Sequence, residues 1–199
     1  MSAHLSLEIA AAAARWVAEE GLEYGAAKKR AVKDLGLPAR TPLPSNELVE
    51  DAVREHLAIF FADSQPQELR ALRELARTWM QLLTEFRPHL GGAVWRGTAT
   101  RHNDIYLQLF CDDPKSAEIH LIDQNVRYDV SQVTGFQGET VDALSVLVSC
   151  PVLGQKVALH LMIYDHDDLR GALKPDANGR SWRGDLAALD RLLMEDVET

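Results

Sequence analysis

The period of the apolar residues changes near residue 90, and this change limits the chain to a fold in which a helical part precedes a sheet. Before that point apolar residues recur at i, i+3 and i+4, as on one face of a helix. After it, short runs alternate or cluster β-branched and aromatic residues, as strands do. With 199 residues, 46% of them hydrophobic, the chain is long enough to bury a core. The sequence predicts an α/β (α+β) protein, with a helical region at residues 1–89 and an α/β region at residues 90–199.

Start and stop signals divide both regions into elements. Two short helices precede a proline-rich loop, Ser45 is predicted to cap a third helix, and Ser64 a fourth. Two further helices close the mixed sheet, one capped by Asp167 or Asp168 and one by Asp185. Six segments are predicted to be strands: "GAVWRG", "DIYLQLF", "AEIHLI", "VRYDV", "LSVLVSC" and "KVALHLMIY".

The charge of the chain restricts its partners. A net charge of −9 argues against a protein whose whole surface seeks nucleic acid, because phosphate binding needs a positive field. Positive charge is concentrated in one helix, and the alternative explanation for it is an ordinary solvated helix face. We interpret this basic run as a second contact surface, for nucleic acid or an acidic protein. It consists of Lys28, Lys29, Arg30 and Lys33.

The compartment follows from the cysteines and the N-terminus. Cys111 and Cys150 both fall inside apolar runs, where a thiol usually acts as a small buried hydrophobe. The N-terminus has no basic region followed by an apolar stretch, and no run has the length of a membrane span. These features predict a cytoplasmic protein without membrane contact.

The segment "WRGTATRHNDIYLQLF", residues 95–110, contains the candidate chemistry. The chain has neither the glycine-rich phosphate and dinucleotide loops nor the common hydrolase and zinc motifs. Gly97 would let a ligand approach the backbone, and the Thr98 hydroxyl would hold phosphate oxygens. Asp104, at the start of the next strand, would hold a divalent cation. The alternative for Gly97 and Thr98 is an ordinary turn, and for Asp104 a capping carboxylate.

Residues 91–110 resemble the nucleotide-binding segment of the DNA polymerase β-like nucleotidyltransferase superfamily. That segment has an apolar strand, Gly-Ser or Gly-Thr, a short helix, and then Ser-Asp-Ile-Asp-Leu or a close variant. The matching residues are Gly97, Thr98, Asn103, Asp104, Ile105 and Leu107. The resemblance implies a nucleotidyltransferase-like sheet that binds a nucleoside triphosphate with Mg²⁺ and transfers a nucleotidyl group to an unidentified acceptor. It also implies nucleotide contacts from Gly97, Thr98, Asn103 and Tyr106.

Two-metal chemistry needs several carboxylates on one face of the sheet. Strand alternation places Asp104 and Tyr106 on one face, so Tyr106 stands where the family has its second Asp. Glu118 would replace that acid if "AEIHLI" is a strand beside Asp104. The last acidic strand of the family corresponds to "KVALHLMIY", where Ala158 and His160 occupy the candidate positions. We therefore predict Asp104 and Glu118 as catalytic residues, with Asp104 as the metal ligand.

Two other functions fit the same sequence. A module could keep the nucleotidyltransferase fold without activity and bind a protein or nucleic acid through its helices or basic run. A structural subunit would instead use its apolar helical stripes to form an oligomer.

Overall fold

The computed structural model describes residues 3–175 and 179–198. Over these residues the chain has an α+β fold, with helices before and after a mixed sheet, which confirms the predicted class. It forms two compact units. The first comprises the chain up to Leu69 together with Thr98–Asn103, and the second comprises Arg70–Gly97 and the chain from Asp104 onward.

The first unit is helical. Its helices are α1 (Ala3–Glu20), α2 (Tyr24–Asp34), α3 (Asn46–Phe60) and the first residues of α4 (Gln65–Leu82). Small and β-branched residues let these helices approach closely, so α1 packs against both α2 and α3. The predicted cap of α3 is confirmed, because the Leu48 amide donates to Ser45 Oγ at 3.2 Å. Fully buried residues of this core include Ile9, Ala13, Ala27, Ala31 and Val53.

The second unit contains the sheet. Its strands are β1 (His89–Gly91), β2 (Ile105–Cys111), β3 (Asp129–Thr134), β4 (Thr140–Cys150), β5 (Gln155–Asp165) and β6 (Arg183–Gly184). They lie in the order β3-β4-β5-β2-β1-β6. Strands β2 and β5 pair in parallel, and the other neighbours pair antiparallel.

The two faces of this sheet differ in burial. Alternate residues of the central strands β2 and β5 are wholly buried, as expected for the face against the core. They are Ile105, Leu107, Leu109, Leu159 and Leu161. The intervening residues are mixed: Tyr106, His160 and Met162 are half-buried, whereas Gln108, Phe110 and Tyr164 are buried. The functional side chains described below lie on this second face.

Four helices follow β1 in the second unit: α5 (Gly92–Arg96), α6 (Ser116–Asp123), α7 (Leu169–Ala172) and α8 (Leu186–Glu198). The predicted cap of α8 is confirmed, because the Ala188 amide donates to Asp185 Oδ1 at 2.9 Å. The predicted cap near α7 is displaced. Asp165, rather than Asp167 or Asp168, accepts from a backbone amide, and it caps the short turn before α7.

Two predicted strands are helices. "GAVWRG" forms α5 and "AEIHLI" forms α6, and both strand predictions were wrong. The change from helix to sheet does occur close to residue 90, since β1 begins at His89. None of the helices in the described residues is long and apolar enough to cross a membrane. Cys111 and Cys150 are buried free thiols.

Candidate functional site

A row of paired residues crosses the half-buried face of the sheet. Gly91 of β1 pairs with Tyr106 of β2, Tyr106 with His160 of β5, and His160 with Ser145 of β4. Residues paired directly across strands point to the same face, so these side chains share one surface. The row extends to Arg183 of β6, which pairs with Gly91. We call this surface the open face.

Three side chains of the open face form a hydrogen-bonded chain. Ser145 Oγ lies 2.8 Å from His160 Nδ1, and His160 Nε2 lies 3.1 Å from Asp104 Oδ2. A carboxylate only accepts hydrogen bonds, so the neutral imidazole donates from Nε2 to Asp104. Nδ1 then accepts from the Ser145 hydroxyl. Asp104 is 44% exposed and His160 23% exposed, so solvent reaches both groups.

The ring of Tyr106 packs against the imidazole ring of His160. The two rings stack with centroids 4.9 Å apart and an angle of 29° between the planes. Gly92 is also close to the Tyr106 ring, because a Cβ added to Gly92 would lie 3.5 Å from Tyr106 Cδ2. Gly92 also has a φ of +67°, which favours glycine there. Tyr106 therefore joins the hydrogen-bonded chain to the region around Gly92.

A polar cleft of about 400 Å³ opens beside Gly92. We call it the basic cleft, because three of its lining side chains are cations: Arg96, Lys174 and Arg183. The other lining residues are Gly92, Gln108, Phe136, Gly171, Ala172 and Trp182. Two of these are aromatic, so the cleft combines positive charge with flat apolar surface.

Gln108 is the buried polar group of the basic cleft. It is 8% exposed, and its Oε1 atom accepts no hydrogen bond from the described residues. A buried acceptor without a donor costs about 1–3 kcal/mol, so such atoms are uncommon in folded proteins. A ligand N–H group in the cleft would satisfy this oxygen.

The cations of the cleft are held by the protein around them. Arg183 Nη1 donates to the Ala172 carbonyl oxygen, and the guanidinium carbon lies 4.6 Å from the Phe136 ring centroid. Burial lowers the pKa of Arg183 from its usual value, because the charged form loses hydration. The Arg96 guanidinium lies 5.6 Å from the centroid of the Trp182 ring. A bound anion would offset the desolvation of these charges.

The predicted nucleotide-binding residues are divided between the two units. Gly97 ends α5 in the left-handed region, with a φ of +83°, and belongs with Asp104 and Tyr106 to the second unit. Thr98 and Asn103 belong to the first unit. Thr98 is buried, and its hydroxyl has no hydrogen-bond partner among the described residues. Asn103 Oδ1 accepts from the Thr100 amide at 2.8 Å and so closes a turn.

Glu118 has a local role in α6. Its carboxylate accepts from Lys115 Nζ at 2.8 Å and from the Tyr128 hydroxyl at 3.0 Å. These hydrogen bonds, chiefly the one from Lys115, lower the pKa of Glu118. The strand that would have carried Glu118 to Asp104 does not form. Across residues 3–175 and 179–198, no group of three or more His, Cys, Asp or Glu side chains could hold a metal ion. The residues present therefore do not fit the two-ion site that the resemblance implies.

The four residues of the basic run have different surroundings. Lys28 donates to the Pro44 carbonyl oxygen and to Asn46, and Arg30 stacks over Trp16. Lys29 and Lys33 instead line a pocket of about 650 Å³ in the first unit. The other residues of this pocket are Val32, Gly36, Leu37, Ala39, Arg40, Thr41 and Leu43. We call it the helical pocket.

Several residues of the open face and of the basic cleft could not be recognised as site residues from the sequence. Ser145 alternates with apolar neighbours in "LSVLVSC", which indicates its face but not the strand that pairs with it. Strand alternation puts Gln108 on the same face as Asp104, but the sequence does not indicate that Gln108 is buried. Arg96, Lys174 and Arg183 carry no sequence signal, because they come from separate elements.

No protein-family model matches the chain, and no curated protein matches it either.

Proposed function

We propose that the second unit binds a nucleotide in the basic cleft. The supporting observation is the unpartnered Oε1 atom of the buried Gln108 in a cleft with three cations. The cations Arg96, Lys174 and Arg183 bind the phosphates, and Gln108 Oε1 accepts a hydrogen bond from an amino or imino group of the base. A nucleotide carries both phosphates and a base with amino or imino groups.

The remaining properties of the cleft favour the same ligand class. Its volume of about 400 Å³ lies within the range of about 300–1,000 Å³ typical of small-molecule sites. A guanidinium can donate two parallel hydrogen bonds to one phosphate, which makes arginine well suited to phosphate recognition. Trp182 and Phe136 offer flat surfaces on which a base can stack.

The proposal contains no metal-dependent step. Nucleotidyl transfer by two ions needs several carboxylates, whereas the open face supplies Asp104 with Tyr106 and His160 at the neighbouring positions. Asp104 also accepts a hydrogen bond from His160. We therefore favour a nucleotide-binding module over a metal-dependent transferase.

Calorimetric titration with each of the four common nucleoside triphosphates, with and without Mg²⁺, tests the binding proposal. Lys174→Glu reverses one charge of the cleft, and we expect it to raise Kd at least about tenfold, or about 1.4 kcal/mol. Gln108→Leu removes the acceptor and should also weaken binding. Lys156→Glu is the matched control, because Lys156 is exposed on β5 and does not line the cleft. Equal affinities for the Lys174 and Lys156 variants would reject the cleft as the site.

A separate assay tests whether the protein is a transferase. The wild-type chain and Asp104→Ala are incubated with labelled nucleoside triphosphates and Mg²⁺ or Mn²⁺. We expect no labelled product that depends on Asp104. A product that disappears in the Asp104 variant would reverse our choice and support the transferase.

A second candidate function belongs to the first unit: recognition of an acidic peptide by the helical pocket. The cations Lys29, Lys33 and Arg40 line this pocket, and all three residues are exposed. Between them lie apolar residues, which suit a peptide side chain better than a nucleic-acid backbone. Fluorescence anisotropy should show tighter binding of a peptide that alternates Glu and Leu than of single-stranded RNA. Lys33→Glu should abolish that difference, and preferred binding of RNA would reject the peptide.

A further inference from the structure

The hydrogen-bonded chain on the open face has a second possible chemistry, which is independent of nucleotide binding. A serine becomes a nucleophile when a base within about 2.6–3.2 Å can take its proton and a third group orients that base. Ser145, His160 and Asp104 meet this description, with distances of 2.8 Å and 3.1 Å. We infer that Ser145 is a nucleophile that attacks carboxylic esters.

The arrangement around His160 fixes its tautomer and its plane. Asp104 accepts from Nε2, so the lone pair of Nδ1 faces the Ser145 hydroxyl. Tyr106 stacks on the ring and restricts its rotation. His160 acts as the general base, and Asp104 is a positioning residue that keeps the imidazole in the required tautomer.

The surface beside Ser145 indicates the acyl part of the substrate. Leu147 follows on the same face of β4 and is 68% exposed. Ala158, which pairs with Leu147, and Met162 flank His160 on β5 and are half-buried. These side chains form an apolar shelf next to the hydroxyl, so the acyl group is an apolar chain.

The reaction proceeds in two balanced steps. Ser145 Oγ forms a bond to the acyl carbon while its proton moves to His160 Nδ1. The bond from the acyl carbon to the alkoxide oxygen then breaks, and the leaving alcohol takes the proton from His160. Water attacks the acyl-serine in the same way, which releases the carboxylic acid and restores the hydroxyl.

An alkyl fluorophosphonate probe tests the nucleophile directly. Attack by Ser145 forms a P–O bond and breaks the P–F bond with release of HF, and mass spectrometry of the digested protein locates the adduct. We expect the wild-type protein to be labelled at Ser145 and the labelling to disappear after unfolding in urea. The proposal is overturned if the folded protein acquires no adduct at Ser145.

Variants then distinguish a serine that is activated by His160 from a serine that is merely exposed. We expect His160→Gln to slow labelling at least about a hundredfold, since a positioned base contributes about 10²–10⁴-fold. Asp104→Asn should slow the chemical step at least about tenfold without changing the probe concentration for half-saturation. Ser149→Ala, at an exposed serine on the same strand, should label normally. Circular dichroism checks that each variant is folded, and unchanged labelling of folded His160→Gln would also overturn the proposal.

Hydrolysis of p-nitrophenyl butyrate provides the second readout. The wild-type protein should release p-nitrophenol, and Ser145→Ala should not. These assays contain no nucleotide, and the binding assays above change neither Ser145 nor His160. Failure of one proposal therefore leaves the other intact.

Discussion

Gly21, just after α1, occupies a position that other residues cannot take without strain. Its φ is +67°, and a Cβ at this position would lie 2.5 Å from the carbonyl oxygen of His102. Because the obstacle is backbone, it cannot move away as a side chain would. We expect Gly21→Ala to lower the free energy of unfolding by about 1–3 kcal/mol in urea denaturation.

Gly25 provides the matched control for this substitution. It lies in α2, and a Cβ there would meet nothing within 4 Å. Gly25→Ala should raise the free energy of unfolding by up to about 1 kcal/mol, because alanine favours the helix. Equal effects of the two substitutions would contradict the strain that we assign to Gly21.

His89 should make stability depend on pH. Burial lowers its pKa below the usual 6.5, and the hydrogen bond to the Arg87 carbonyl oxygen opposes this only in part. The unfolded chain therefore binds the proton more readily, so the free energy of unfolding should fall as pH drops below about 6.5. Above that pH the contribution is constant, because His89 is neutral in both states.

Urea denaturation between pH 7.5 and 5 measures this dependence. His89→Gln should flatten the decline, although not completely, because burial also lowers the pKa of His56. His4→Gln, at an exposed histidine, is the matched control for the substitution itself. A steeper decline in the free energy of unfolding for His89→Gln would contradict the direction of the pKa shift that we assign to His89.

At the scale of single elements, the short helix α5 depends on one buried arginine. Arg73 of α4 is 5% exposed, and its guanidinium donates to the carbonyl oxygens of Val94 at 3.1 Å and Trp95 at 3.2 Å. These carbonyls lie at the C-terminal end of α5, where the helix offers them no partner. The arginine thus stabilises the helix that carries Arg96 to the basic cleft.

Removal of this guanidinium should be costly. We expect Arg73→Met to lower the free energy of unfolding by about 2–4 kcal/mol, since the buried Val94 carbonyl and the half-buried Trp95 carbonyl lose these donors. Thermal and urea denaturation measure the loss. Arg77→Met is the control, because Arg77 lies one turn later and forms a half-exposed ion pair with Asp190. That change should cost less than about 1 kcal/mol.

Helix α6 shows why a short sequence pattern fails to distinguish a helix from a strand. In "AEIHLI", Ile119 and Leu121 alternate as in a strand, yet Ala117 and Leu121 are buried and Ile119 is 53% exposed. Burial at i and i+4 is helical, and six residues are too few to separate the two periods. Longer segments were predicted correctly, as the strands at "DIYLQLF" and "KVALHLMIY" show.

Across the whole fold, the sequence pattern indicates Asp104, Tyr106 and His160 as candidate residues, but it cannot show that they meet or that Ser145 joins them. The partner of Asp104, His160, lies 56 positions later, and Ser145 lies on a strand whose register depends on the turn after Cys150. Alternation within one strand identifies a face, whereas pairing between distant strands decides which side chains meet. The hydrogen-bonded chain could therefore be identified only from the order and pairing of the strands.

The segment that contains Asn103 belongs to the first unit. The chain passes from the second unit into the first after Gly97 and returns at Asp104. Within the first unit, Asn103 Oδ1 accepts from the Thr100 amide, and the Thr100 hydroxyl donates to the Ala18 carbonyl oxygen. Asn103 does not line the basic cleft. We therefore expect Asn103 to stabilise the turn, and its contact with a nucleotide stays a prediction.

Substitution of Asn103 distinguishes these two roles. Asn103→Ala should lower the free energy of unfolding by about 1–2 kcal/mol and accelerate hydrogen exchange of the Thr100 amide, because its acceptor is lost. Asn103→Asp keeps an oxygen at that position and should restore slow exchange. A nucleotide contact would give the opposite result, with weaker nucleotide binding, unchanged stability and unchanged exchange at Thr100.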